Sequence, residues 1–371
     1  MRLFKKEDIY NKNIVLRLDL NVPMKDTIVL NDYKIKKSLK TLEFLKMNSK
    51  KVIVLSHLGK LDKNNQVKSL YPIKKILENY LNEKILFISN ENSFSEINKI
   101  ILESNQKFIM LENTRYYDKY NDMESKCLEE LSKFYASLGE VFINDAFGSS
   151  HRKHASTFGI SKYLPGYFGF LIEEEINNLT DLNNNNKIFT VVVGGSKVES
   201  KLPLIENLLD KCNYILMGGG ILNSFLKASG FDIKDSLATN DIDILNKLKY
   251  LLEKYPDKII LNYDVVWDEN KIKDVNASVY KKYIEESELC FVNGTLGLYE
   301  EEKFSSGTKQ LFNIVCNSNA KTIVGGGDAV SALFKLGNPN KVSFISTGGG
   351  ATLKYIIKNE LEIFNKWKKY L

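Results

Sequence analysis

Phe189-Thr190-Val191-Val192-Val193-Gly194-Gly195-Ser196-Lys197-Val198-Glu199-Ser200-Lys201 decides the fold. Its first five residues form an almost continuous apolar run. Such a run predicts a strand buried on both faces, because a half-exposed strand would alternate. The glycine pair ends the strand, and Leu202–Lys211 follows with helical spacing. Strand, glycine turn and helix in that order make the repeating unit of a parallel sheet covered by helices. The same unit recurs downstream. Strands are predicted at Tyr214–Met217, Lys258–Leu261, Leu289–Val292, Thr322–Val324 and Phe344–Ile345. Helices are predicted at Ile221–Ala228, Ile242–Lys254, Ser278–Ser287, Thr308–Ser318 and Ala329–Leu336, with a last one from Ala351.

Upstream the alternation is similar. Strands are predicted at Ile14–Leu18, Lys51–Leu55, Ile85–Ile88, Phe108–Leu111 and Val141–Ile143. Helices are predicted at Lys34–Met47, Tyr71–Leu81, Glu96–Glu103 and Ser125–Leu138. The run from Leu171 to Asn183 reads as a connecting helix. The expected class is therefore α/β, with two Rossmann-like domains joined by a helix and hinge. The expected boundaries are 1–165, a connector at 166–182, a second domain at 183–352 and a C-terminal helix at 353–371 that returns towards the first domain.

A length of 371 residues suits two domains. Hydrophobic residues at 43% and charged residues at 26% argue against disorder. No apolar run reaches membrane-span length, and Met1–Tyr10 does not read as a signal peptide. Cys127, Cys212, Cys290 and Cys316 lack CxxC spacing, which disfavours a zinc site and suits a reducing, cytoplasmic setting. The net charge of +6 is uneven: Met1–Pro165 holds 28 Lys and Arg against 20 Asp and Glu, leaving −2 for the rest. An anionic ligand is expected in the first half. Only four of the 52 basic residues are arginine, namely Arg2, Arg17, Arg115 and Arg152. Where lysine is so strongly preferred, a retained arginine suggests a need for its planar fork of donors.

Glycines cluster after four strands, at Gly194–Gly195, Gly218–Gly220, Gly325–Gly327 and Gly348–Gly350. Glycine there lets backbone amides and a helix N-terminus approach a phosphate, although structural turns have the same composition. None matches a P-loop or a dinucleotide fingerprint. Lys197 and Lys201, four apart, are expected to share a helix face and to invite a polyanion. Asp328 reads as an N-cap or as a Mg²⁺ ligand beside nucleotide phosphates. In the first half His57, His151 and His154 sit at strand ends, and Arg115 and Arg152 follow strands where an anion would bind. Asp19 and Asn21 follow the first strand and are expected to hold hydroxyls.

At this point the chain resembles the phosphoglycerate kinase family. The resemblance rests on Leu16-Arg17-Leu18-Asp19-Leu20-Asn21-Val22-Pro23, Ser56-His57-Leu58-Gly59, Leu111-Glu112-Asn113-Thr114-Arg115 and Asn144-Asp145-Ala146-Phe147-Gly148 with His151-Arg152-Lys153-His154. It continues with Gly194–Val198, Gly218–Gly220, Asn293–Gly297, Gly325–Asp328 and Ser346–Gly350, in the family's order. The resemblance implies reversible phosphoryl transfer between 1,3-bisphosphoglycerate and ADP, giving 3-phosphoglycerate and ATP, with Mg²⁺. It implies a monomer whose domains close to exclude water. It implies that Asp19, Asn21, Lys34, His57, Lys60, Arg115 and Arg152 bind the phosphoglycerate. It assigns the nucleotide to Lys201, Gly219, Glu300, Gly326, Gly327, Asp328 and Ala329, with the metal on Asp328. Lys34, Lys197, Gly327 and Gly350 are the implied catalytic set around the moving phosphoryl group.

Several positions depart from the family pattern. Lys34 and Lys60 stand where the family has arginine, Ala329 where it has threonine or serine, and Thr295 where it has proline. The stretch from Asp264 to Asp274 is short, and Lys354–Leu371 replaces a glycine-rich ending. A lysine keeps charge but not bidentate geometry. Two other functions remain compatible with the residues: a kinase-like protein that binds or regulates without turnover, and a basic nucleic-acid-binding protein. Lys197, Lys201 and Asp328 favour the enzyme, because a binder gains little from a metal-phosphate site.

Overall fold

The structure is a computed structural model that describes residues 3–183, 186–361 and 363. Contacts divide the chain into two compact units. One spans Asn178–Asn359; the other holds the chain up to Asn177 and, of the ending, the described residues Glu360, Leu361 and Ile363. The helix Phe170–Thr180 carries the chain from one unit to the other.

In the first unit β1 (Asn13–Leu18), β2 (Lys51–Leu55), β3 (Ile85–Ile88), β4 (Phe108–Leu111), β5 (Val141–Asp145) and β6 (Gly166–Phe168) form one sheet, in the order β3-β4-β2-β1-β5-β6. Every pairing is parallel. β1 is central, and five of its six residues are buried. Ile14, Leu16, Val52, Val54, Ile143 and Phe108 pack in one core with Ile35, Leu42 and Leu45 of the helix Tyr33–Asn48 and with Ile73 and Leu77 of Tyr71–Leu81. Arg17 and Asp19 lie at the carboxyl end of β1, where β5 lies on the opposite side from β2. A sheet that changes winding direction opens a crevice there.

The second unit repeats the plan. β7 (Phe189–Val193), β8 (Tyr214–Met217), β9 (Ile259–Ile260), β10 (Leu289–Asn293), β11 (Lys321–Val324) and β12 (Phe344–Ile345) are ordered β9-β8-β7-β10-β11-β12, again all parallel. All five residues of β7 are buried, as its continuous apolar run predicts. This is the doubly wound order, with the switch point between β7 and β10.

Several elements differ from the sequence expectation. Gly166–Phe168 lies in the segment read as connector but forms the sixth strand of the first sheet. The helix expected over Ser125–Leu138 spans only Glu129–Ser137. Its first turns are lost because the Ser125 N–H donates to Asp118 Oδ1 at 2.7 Å, and because Cys127 takes a left-handed φ of 57° that no α-helix can include. Ser278–Ser287 divides into a 3₁₀ turn at Ala277–Tyr280 and a helix at Lys281–Glu285. Two short antiparallel hairpins, Met24–Lys25 with Ile28–Val29 and Val265–Asp268 with Lys271–Val275, were not expected. The last described helix, Gly350–Lys358, begins one residue before the expected Ala351. Of the segment expected to form a helix at 353–371, Leu353–Lys358 belongs to that helix, while residue 362 and the residues beyond Ile363 lie outside the described residues.

Candidate functional site

The first unit gathers its polar groups at the carboxyl ends of β1, β2, β4 and β5. Lys34, in the first turn of its helix, places Nζ 3.0 Å from Asp19 Oδ2. Burial would push the Asp19 carboxyl up, but Lys34, His57 and Arg17 hold it below its ordinary value. Asn21 Oδ1 accepts from the Gly59 N–H at 2.9 Å, which ties the loop carrying His57 and Lys60 to the loop carrying Asp19. Gly59 has φ +67°, so the turn that presents Lys60 needs glycine's freedom. Asp19 and Asn21 are thus engaged with protein groups, beyond the hydroxyl-holding role their positions suggested.

Arg115 is buried. Its Nη1 donates to Asp118 Oδ2 at 2.8 Å and to Ser125, while its Nε has no hydrogen-bond partner among the described residues. An unsatisfied buried donor costs about 1–3 kcal/mol, and an anion would relieve it. Arg152 is exposed, and its Nε lies 3.1 Å from His151 Nε2. Burial first, and then Arg115 and Arg17, push His154 down to about 3, so its ring is neutral. His154 is buried with Nδ1 3.9 Å from Glu124 Oε1, so of the three histidines it serves the interior of the cluster.

Sequence reading singled out neither Arg17, Glu124 nor Ser156 for a role. Arg17 is 1% exposed, with Nε 2.9 Å from Ser156 Oγ and Nη2 3.1 Å from His57 Nδ1. Glu124 is fully buried and accepts from the Ser156 N–H at 3.1 Å and from its hydroxyl. Burial pushes Glu124 up, against the pull of Arg17. The available signal was Arg17 itself, an arginine retained inside a strand of an arginine-poor chain.

The second unit is built differently. The loops after β7, β8 and β10 meet backbone to backbone. A Cβ on Gly194 would lie 2.0 Å from the Thr295 carbonyl oxygen, and one on Gly294 would lie 2.3 Å from that of Gly194. These glycines hold loops together. Gly327 begins the helix Gly327–Leu336, and a Cβ placed on it would meet no atom within 4 Å, so the helix start faces open space. Gly326, the cap of that helix, has φ +95°, and a Cβ there would also run into the Asn293 side chain. Gly350 likewise begins an exposed helix start, at Gly350–Lys358.

Asp328 is exposed in the first turn and is not the cap, since the helix starts earlier than Ala329. Ala329 is fully buried beneath it. Lys197 and Lys201 do not share a helix face, because a 3₁₀ turn at Val198–Ser200 separates them and the helix begins at Leu202. Lys197 is exposed. Lys201 is drawn inward to Asn293 Oδ1, whose Nδ2 donates to the Gly325 carbonyl at 2.7 Å. Burial pushes Lys201 down, and Asp328 opposes that. A cavity of about 300 Å³ opens beside these groups, with Gly195, Gly219, Leu237, Leu298, Glu300 and Asp328 in its wall. Among the described residues no group of three or more His, Cys, Asp or Glu side chains could form a metal cage. One exposed carboxylate fits a Mg²⁺ ion bound mainly through nucleotide phosphates.

Comparison with known proteins gives matches over nearly the whole chain. The family model described as phosphoglycerate kinase matches residues 4–358. The phosphoglycerate kinase of Mycoplasma genitalium is 38% identical, with 95% of each chain covered. That of Listeria innocua is 35% identical over 95% of this chain and 96% of its own. Among solved structures, phosphoglycerate kinase from Coxiella burnetii superposes with a TM-score of 0.82 at 33% identity, over 98% of this chain and 97% of that one. The enzyme from Pyrococcus horikoshii gives 0.84 at 25% identity, over 99% and 98%.

Proposed function

This chain belongs to the phosphoglycerate kinase family, and from that membership we propose which of its residues carry the reaction. The reaction is the reversible, glycolytic transfer of a phosphoryl group between 1,3-bisphosphoglycerate and ADP. A β-phosphate oxygen of ADP attacks the acyl phosphorus, and the carboxylate of 3-phosphoglycerate leaves. The transfer needs positioning and charge neutralisation more than covalent help.

In this reading the phosphoglycerate binds the first unit. Arg115, Arg152 and His57 face its anionic groups, Lys60 adds charge, and Asp19 and Asn21 set the loops and Lys34. The nucleotide binds the second unit. Gly219 and the apolar part of the cavity wall take the base, Glu300 lies beside the sugar, and Lys201 with the amides of Gly326, Gly327 and Ala329 takes the phosphates. Lys197, Gly327 and Gly350 neutralise the moving phosphoryl group, together with Lys34. Asp328 would hold Mg²⁺, which supplies charge neutralisation on the phosphate oxygens.

The observation that carries the nucleotide assignment is the open helix start at Gly326–Asp328 beside the half-buried Lys201. Calorimetry tests it. Asp328→Ala should bind ADP in Mg²⁺ about ten-fold more weakly, the loss expected for one charge-assisted contact. Its binding of metal-free ADP should be unchanged. Equal affinity for MgADP in variant and parent would remove the metal from Asp328. A coupled assay with 3-phosphoglycerate and MgATP reads the turnover.

The chain is proposed to work as a cytoplasmic monomer without nucleic-acid or membrane partners. In support, Cys212, Cys290 and Cys316 are free thiols; no helix of the described residues is long and apolar enough to cross a membrane.

A further inference from the structure

The first unit contains a buried bracket that the roles above leave unused. Arg17 Nε donates to Ser156 Oγ at 2.9 Å, and Arg17 Nη1 donates to the Leu18 carbonyl. The Ser156 hydroxyl donates in turn to Glu124 Oε1, and the Ser156 N–H reaches Glu124 Oε2 at 3.1 Å. The guanidinium is therefore fixed in its plane by two separate contacts, one of them backed by a buried carboxylate. Its remaining nitrogen, Nη2, lies 3.1 Å from His57 Nδ1.

We propose that Arg17 is a positioning residue that fixes the tautomer of His57, so that the ring offers an Nε2–H donor to the phosphoglycerate. The chemistry of the two groups leaves one arrangement. A guanidinium has donors and no acceptor, so the shared hydrogen bond requires a lone pair on His57 Nδ1. A neutral ring with its lone pair on Nδ1 carries its proton on Nε2. A doubly protonated ring has no lone pair to offer and would face Arg17 as a like charge. His57 Nε2 makes no hydrogen bond to the described residues and is left for a ligand. Carboxylate and phosphate oxygens only accept, so the opposite tautomer would set lone pair against lone pair. The inference rests on the placement of the phosphoglycerate beside His57 proposed above. Its gain is a donor of fixed direction whose charge state does not vary with pH near neutrality.

The chain has only three histidines, which makes the test direct. Nitrogen-15 NMR of the ligand-free, full-length protein reads the protonation of each imidazole, and His57→Gln assigns the His57 signals. The expected result is a bare Nδ1 and a protonated Nε2 across pH 6–8. A ring protonated on Nδ1, or on both nitrogens, would overturn the proposal. The variant arm compares Glu124→Gln, which leaves Arg17 in place, with Arg17→Met/Glu124→Gln, which removes both buried charges together. The single variant should keep the Nε2–H tautomer. The double variant should show mixed tautomers and bind 3-phosphoglycerate more weakly in inverse proportion to the fraction of rings left as Nε2–H, about two-fold for an even mixture. Its ADP affinity should equal the parent's. A double variant that keeps the pure Nε2–H tautomer overturns the role of Arg17. Mixed tautomers with unchanged 3-phosphoglycerate affinity would overturn the placement of substrate on His57 instead.

Discussion

The two units share a sheet plan but build their proposed anion sites from different parts of the chain. The first uses side chains: Arg115, Arg152, His57 and Lys34 around a buried bracket of Arg17, Ser156 and Glu124. The second uses backbone: helix starts at Gly327 and Gly350, with Lys201 as the inward cation. A side-chain site offers groups of definite charge and fixed reach, but every buried charge needs a partner, and the network extends well behind the ligand. A backbone site avoids burying charge, but it needs loops packed so closely that glycine is required. Substitution should therefore act on charge in the first unit and on space in the second.

The largest effect is expected from Lys34→Ala. It removes a cation proposed to stabilise the transferring phosphoryl group, and it strips Asp19 of its ion pair. Turnover should fall about 10²–10³-fold in kcat, the usual loss for one transition-state contact, with ADP affinity intact. Steady-state kinetics at saturating substrates decides this; an unchanged kcat would leave Lys34 as a solvated helix residue.

Next comes a pair in the second unit that separates glycines by their surroundings. Gly194→Ala drives a methyl to 2.0 Å from the Thr295 carbonyl oxygen and should destabilise by about 3 kcal/mol. Gly327→Ala meets nothing and should change stability by no more than about 1 kcal/mol, in the stabilising direction, because alanine is the better helix former. Thermal unfolding of the two variants checks this. Comparable losses of stability would mean that the second site is no more crowded behind than in front.

Arg152→Ala should weaken 3-phosphoglycerate by about 1.5–3 kcal/mol, the range for a hydrogen bond to a charged group. Calorimetry with 3-phosphoglycerate reads it, and no change in affinity would remove Arg152 from the first site. The smallest effect sharpens the comparison most. Lys34→Arg restores a planar fork of donors and should raise kcat by roughly ten-fold, or about 1.4 kcal/mol. The Asp19 partner is already placed to receive it. A kcat equal to the parent's would show that a point charge suffices at this position.

Much was legible in the residues themselves. The apolar run of β7, the amphipathic helices and the glycine-ended strands fixed two parallel α/β layers, because periodicity and turn chemistry are local properties. The retained arginines at 115 and 152 stood out because lysine bias made them conspicuous, and Arg115 Nε has no hydrogen-bond partner among the described residues. Other features depended on distant parts of the chain. Gly166–Phe168 becomes a strand because β5 offers it an edge, and its three residues carry no pattern of their own. The helix at Glu129 starts late because Asp118 captures Ser125 first. Nothing in the order of residues says that Gly194 is hemmed in while Gly327 is open, since the atoms that decide it come from other loops. The bracket on Arg17 joins residues 139 and 40 positions away along the chain. Sequence determined which groups were present and on which elements they lay. Tertiary structure decided which of those groups are satisfied and which are left for a ligand, because hydrogen bonding and burial depend on neighbours that only folding brings together.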